Sequence, residues 1–139
     1  NFLFALLGFS VVAASSLLIF SYLGSGSLIQ INKTAGTGNL SATLSVNYGN
    51  GTITSHDINL EEGTSALDVL GYKHNVTAKE FFGLGMYIVC IDSVCENKEA
   101  DTYWVYYING VFALGGSGSY TVQDKDSVAF NLTNSPLPF

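Results

Sequence analysis

Cys90 and Cys95, His56 and His74, a scatter of carboxylates and five Asn-x-Ser/Thr triplets carry whatever site chemistry this sequence offers. The two cysteines frame IDSV. Outside the cytoplasm such a pair most simply forms a disulfide, closing a short loop that contributes about 2 kcal/mol. A metal centre needs more ligands than these, and the two histidines stand apart in sequence, so no metal is expected. The serines of Gly24 to Ser27 and of Gly115 to Ser119 do not make the G-x-S-x-G of a nucleophile elbow. Asp57, Glu61, Glu62, Asp68, Asp124 and Asp126 fall in turns, caps and strand ends, where solvation is the ordinary role of a carboxylate. The expectation is a protein with no catalytic residues and no cofactor.

Glycosylation is the stronger signal. Asn32, Asn39, Asn50, Asn75 and Asn131 each begin an acceptor triplet with no proline in the middle. Eleven Asn at the chain's Ser/Thr frequency would give about two such triplets by chance. N-linked glycans are therefore expected partners, on an extracellular or cell-surface protein. No triplet has an acidic residue two positions upstream, which favours an archaeal or eukaryotic exterior over bacterial transferases. The chain has five Lys, no Arg and a net charge of −6, so a phosphate backbone finds nothing bidentate to hold and nucleic acid is excluded as a partner.

These residues need elements to position them. Leu44, Val46 and Tyr48 alternate with Thr43, Ser45 and Asn47 ahead of Gly49-Asn50-Gly51, and TITSHDINL follows, a hairpin pattern. EEGTSALDVLGYK places Thr64 or Ser65 as N-cap before a short helix ending near Gly71. MYIVCID, YWVYYING, GSYTV and SVAFNLT read as further strands, with Asn109-Gly110 and Asp124-Lys125 as turns. In YWVYYING both faces are apolar or aromatic. One can pack under the helix. The other is an aromatic contact face, a subunit contact, or an ordinary strand face covered by the domain's own loops.

The order EGTSALDVL, GMYIVCID, WVYYINGV, a Gly-rich turn and GSYTVQDKDSVAF resembles the transcobalamin-like C-terminal domain across about residues 41 to 133. Trp104, Tyr106, Asn109 and Gly110, followed by Asp124, Asp126 and Val128, carry most of the likeness. The resemblance implies a β-grasp-like module of largely unknown function. It admits a corrinoid as ligand, since a related domain closes over cobalamin in corrinoid carriers; the two-faced YWVYYING strand separately makes Trp104 and Tyr106 a candidate contact face.

From Phe2 to Leu23 only four serines interrupt an apolar run, which as a helix spans roughly 33 Å, enough to cross a bilayer. An uncharged helix at the start, a Gly/Ser hinge and a β-rich head resemble an archaeal type IV pilin-like subunit. Ala5 stands where bacterial pilins carry an acidic residue, which archaeal pilins commonly lack too. The expected class is α+β: a hydrophobic N-terminal helix at 1–23, a Gly/Ser/Thr-rich linker at 24–40, and a β-grasp-like, mostly antiparallel head with one short helix at 41–139. The expected function is a structural subunit of a glycosylated pilus-like filament. Its partner is itself: Phe2, Phe4, Leu6, Leu7, Phe9, Val12, Leu17, Leu18 and Phe20 form an apolar assembly core after passing through the membrane. The alternative is a membrane-anchored cell-surface module whose head binds a corrinoid-like small ligand or an adhesion partner.

Overall fold

Alternating side chains build the first hairpin. In the computed structural model, which describes residues 26–34 and 36–134, β2 (Leu40–Asn47) and β3 (Ile53–Leu60) pair antiparallel from Leu40↔Leu60 to Asn47↔Ile53. Ala42, Leu44, Val46 and Tyr48 are buried while their neighbours face outward. Ser65 then caps the six-residue helix α1 (Ala66–Gly71). The Ser65 hydroxyl accepts from Asp68 N–H, and the Asp68 carboxylate accepts from Ser65 N–H, a reciprocal cap. Ala66, Leu67, Val69 and Leu70 are all buried, so this helix is core on nearly every side.

Two sheets enclose that core. The five-stranded sheet has the order β3-β2-β9-β7-β8, with β7 at Thr102–Ile108, β8 at Val111–Phe112 and β9 at Asp126–Asn134. Its central pair, β2 and β9, is parallel, from Ala42↔Asp126 to Asn47↔Asn131; its other pairs are antiparallel. The four-stranded sheet has the order β1-β4-β5-β6, formed by Leu28–Ile31, Val76–Phe81, Gly85–Ile91 and Val94–Cys95. Leu44, Leu60, Leu70, Val76, Ile91, Val128 and Phe130 from both sheets and the helix meet in one hydrophobic cluster. Cys90 and Cys95 lie opposite each other in β5 and β6 and are joined by a disulfide.

Three expectations need correction. The α+β class is overturned, because strands dominate the described residues and helix is limited to α1 and a three-residue 3-10 turn at Ser117–Ser119. A second sheet forms because residues 28–31, expected as linker, pair with VTAKEF. GSYTV is not a strand. It holds the end of the 3-10 turn and one isolated bridge, Ser65↔Thr121, which ties the segment to the helix cap. The N-terminal helix at 1–23 and its assembly residues lie outside the described residues, and no helix among those described is long and apolar enough to cross a membrane.

β1 makes the head longer than the expected 41–139. Ile31 packs on the core and Lys33 N–H donates to Gly71 O at 3.2 Å, closing β1 over the helix end. A head cut at residue 41 should lose about 2–3 kcal/mol relative to one cut at residue 26, through exposed apolar surface and a bare β4 edge. Urea titrations of the two fragments check this; equal midpoints would make β1 an ornament.

Candidate functional site

β5 and β7, each next to the short last strand of its sheet, lie side by side. Over Met86–Ile88 and Tyr103–Val105 each has a strand neighbour on one side only, and a groove of about 360 Å³ runs between them. Its floor is Ile88, Trp104, Tyr106 and Phe130, and its flanks are Met86, Tyr87, Tyr103 and Phe112. The loop after β8 closes one end, with Ala113 to Gly115 and Ser117 on the wall. Glu96 stands on the lining at the β6 side.

Each wall is held by a local device. Trp104 is pinned by its indole N–H, which donates to Val94 O at 3.0 Å, and by an edge-on contact with Tyr48 at 5.8 Å between ring centroids. Tyr106 stacks on Phe130 at 5.7 Å, and its hydroxyl donates to Gly116 O. Burial, with a smaller contribution from neighbouring Tyr87, pushes the Tyr106 hydroxyl above its usual range, so it stays a neutral donor. Gly116 lets the loop lie on β5: a side chain there would sit 2.5 Å from Met86 N and 2.7 Å from Met86 O. That close approach brings Ser117 into the wall. Its hydroxyl is buried, yet it has no hydrogen-bond partner among the described residues. A buried hydroxyl without a partner costs roughly 1–3 kcal/mol, so this loop carries a polar group whose bonding the fold itself leaves unmet.

Two carboxylates brace the fold around the groove. Asp126 is buried and accepts from Asn109 Nδ2, Tyr120 OH and Gln123 N–H, each at 2.8 Å. Burial works to raise its pKa, but these three donors more than offset that and hold the carboxyl below its usual range. Asn109 and Gly110 both take positive φ in the turn between β7 and β8, and Asn109 Oδ1 accepts from Ser127 N–H. The Asn109 and Asp126 that carry part of the family likeness thus form a brace joining two turns, the first of them completed by Gly110. Asp92 plays the same part at the other end of β5. It accepts from Tyr48 OH at 2.5 Å and from Asn75 N–H at 2.9 Å, and lies 2.6 Å from His74 Nδ1. Burial again works upward and the donors prevail, leaving the Asp92 carboxyl below its usual range.

The expected site residues are therefore dispersed. Trp104 and Tyr106 are each 7% exposed, so they form a groove floor and not an open contact face. Asn32, Asn39, Asn50 and Asn75 are exposed, whereas Asn131 is half-buried on β9 between Asn47 and Val105. His56 and His74, unrelated in sequence, meet with ring centroids 5.6 Å apart. Even so, no three of His, Cys, Asp and Glu gather as a metal site among the described residues. The sequence reading missed Ser117, Glu96, Tyr87 and Phe112. The run GGSGS carried a usable signal, since clustered glycines mark close backbone approach.

Solved structures share this fold. A candidate metal-binding protein from Ruminococcus gnavus superposes with a TM-score of 0.62 at 17% identity, covering 69% of this chain and 98% of the other. Haptocorrin in complex with Cbi superposes with a TM-score of 0.61 at 21% identity, over 81% of this chain but only 26% of its own. The second likeness supports the transcobalamin-like fold read from the sequence, at the level of fold alone; neither comparison supports the pilin-like N-terminus. No curated protein matches the sequence. The family described as "Domain of unknown function (DUF4430)" matches residues 63–134, more than half of the sequence and nearly all of the groove's framework, and the chain belongs to it.

Proposed function

We propose that this chain is a non-enzymatic, cell-surface module that binds a small ligand in the groove between β5 and β7. The observation that carries the reading is the pairing of an aromatic cleft with a buried, unpartnered Ser117 hydroxyl. Apolar walls with one or two placed polar groups are the general composition of small-molecule sites. About 360 Å³ lies at the small end of such sites, which suits a compact, largely apolar molecule with one hydrogen-bonding group at its inner end. Glu96 on the lining and the chain's charge of −6 favour a neutral or cationic ligand over an anion.

A corrinoid is several times too large to enter this volume and would meet the groove only along one edge. Haptocorrin, with about three-quarters of its chain outside the matched region, has more protein available to hold Cbi. The disulfide and the exposed acceptor asparagines support a place outside the cytoplasm, and the apolar run before the head supports a membrane tether. The filament subunit draws no support from the described residues or from the comparisons.

The test is a melting series on the full chain in mild detergent, with small aromatic amines and alcohols and with Cbi. A ligand at a hundredfold excess over its Kd should stabilise the fold by about 2.7 kcal/mol. Ser117→Ala should weaken that response while leaving the unliganded melt unchanged or slightly higher, since it removes an unpaired buried hydroxyl. A flat response to every compound, Cbi included, would sink the binding reading.

A further inference from the structure

The end of the head from which the N-terminal residues depart carries a cluster of exposed apolar side chains. β1 runs antiparallel to β4 with Leu28 opposite Lys79, so the chain before it passes Glu80 and the β4–β5 turn. Gly26 lies against that strand, where a side chain would sit 2.6 Å from Glu80 O. The turn itself is Phe81-Phe82-Gly83-Leu84. Phe82 is fully exposed, Leu84 is 59% exposed, and Leu28, Ile29 and Phe81 beside them are exposed as well. Gly116 N–H donates to Leu84 O, which brings the loop bearing exposed Leu114 to the same end. No charge interrupts residues 81–84, and the Lys79 ammonium lies 5.4 Å from the centre of the Phe81 ring, its stem along apolar surface.

We infer that this tip is a lipid-facing surface, seated in the interface of the bilayer that receives the apolar residues 2–23. The inference rests on the membrane tether proposed above. The occupant follows from the connection: the apolar run joins the head at Gly26, beside the tip, so a bilayer holding that run lies next to Phe82 and Leu84. Aromatic and aliphatic side chains on a turn, with a lysine set back from them, suit the boundary between headgroups and acyl chains. The net charge of −6 makes a zwitterionic surface the partner in preference to an anionic one. The consequence is an oriented head: β5 leads away from the membrane for about 20 Å, to the Asp92–Tyr48 contact and the β2–β3 turn.

The experiment uses the full chain in phosphatidylcholine vesicles, some made with brominated acyl chains that quench indole fluorescence on contact. Phe82→Trp places an indole at the tip, and Ile53→Trp places one at the exposed far end of the hairpin. Trp104, the natural indole, is buried and contributes equally to both. The expected result is flotation of both variants with the vesicles, and several-fold stronger quenching with a blue shift in Phe82→Trp. Flotation with equal quenching in the two variants would overturn the lipid-facing tip while leaving the tether intact. Failure to float would overturn the tether and the tip together. A blue shift in Phe82→Trp without lipid, lost on dilution, would assign the tip to contact between copies and overturn the inference.

Discussion

Asp126→Ala should destabilise the head by about 2–4 kcal/mol, because partly buried neutral donors lose a charged acceptor. Three donors lose their acceptor at once, and the β7–β8 turn and the turn before β9 lose their shared anchor. The same carboxylate sets a pH dependence. Its folded-state pKa lies below the unfolded value, so the stability it adds is present at neutral pH and is lost as pH falls through the folded value, below about 4. Asp92 and Asp68 are shifted in the same direction, so Asp126→Asn should make the acid limb shallower without abolishing it. Urea midpoints from pH 3 to 7 measure both effects. An Ala variant within about 0.5 kcal/mol of the parent, the scatter of ordinary surface changes, would show that the brace does not hold the turns.

Trp104→Ala should cost a further large amount, about 3–5 kcal/mol for an aromatic side chain removed from a packed interior. Its ring separates the groove from the Tyr48–Asp92–His74 cluster and also supports β6 through Val94. Loss of the ring joins the groove to the core, so a ligand's stabilisation should vanish along with the fold's margin. Trp104→Phe keeps a ring but loses the bond to Val94 O. It should fall about 1–2 kcal/mol and retain part of the ligand response. Equal melts for the Ala variant and the parent would mean that the ring is not packed as described.

What the sequence announced, and what it hid, follows from where each signal lives. Leu44, Val46 and Tyr48 announced β2 because its outer face is polar, and the choice of Thr64 or Ser65 as cap announced α1 because a cap is local chemistry. The cysteines announced their bridge through spacing alone. VTAKEF hid β4, since Ala, Lys and Glu are poor strand formers and only pairing on both sides with β1 and β5 makes that segment extended. Leu28–Ile31 hid β1 because four residues beside a Gly/Ser run look like linker until a partner strand is supplied. The groove was the least legible feature. Its walls come from β5, β7, β9 and the loop after β8, and Ser117 becomes notable only through its lack of a partner.

The parallel pairing of β2 with β9 also dictates when this protein can fold. Ser41 and Asp124, hydrogen-bonded at the start of that pair, are 83 residues apart, and the central sheet has no partner for β2's inner edge until β9 arrives. Closing so long a loop precedes any gain from the contact, which places the head among the slower, high-contact-order folders. A nascent chain therefore stays extensible until nearly its last strand has been made. If the chain is exported, as the proposed cell-surface role requires, the five-stranded sheet can close only after β9 has followed.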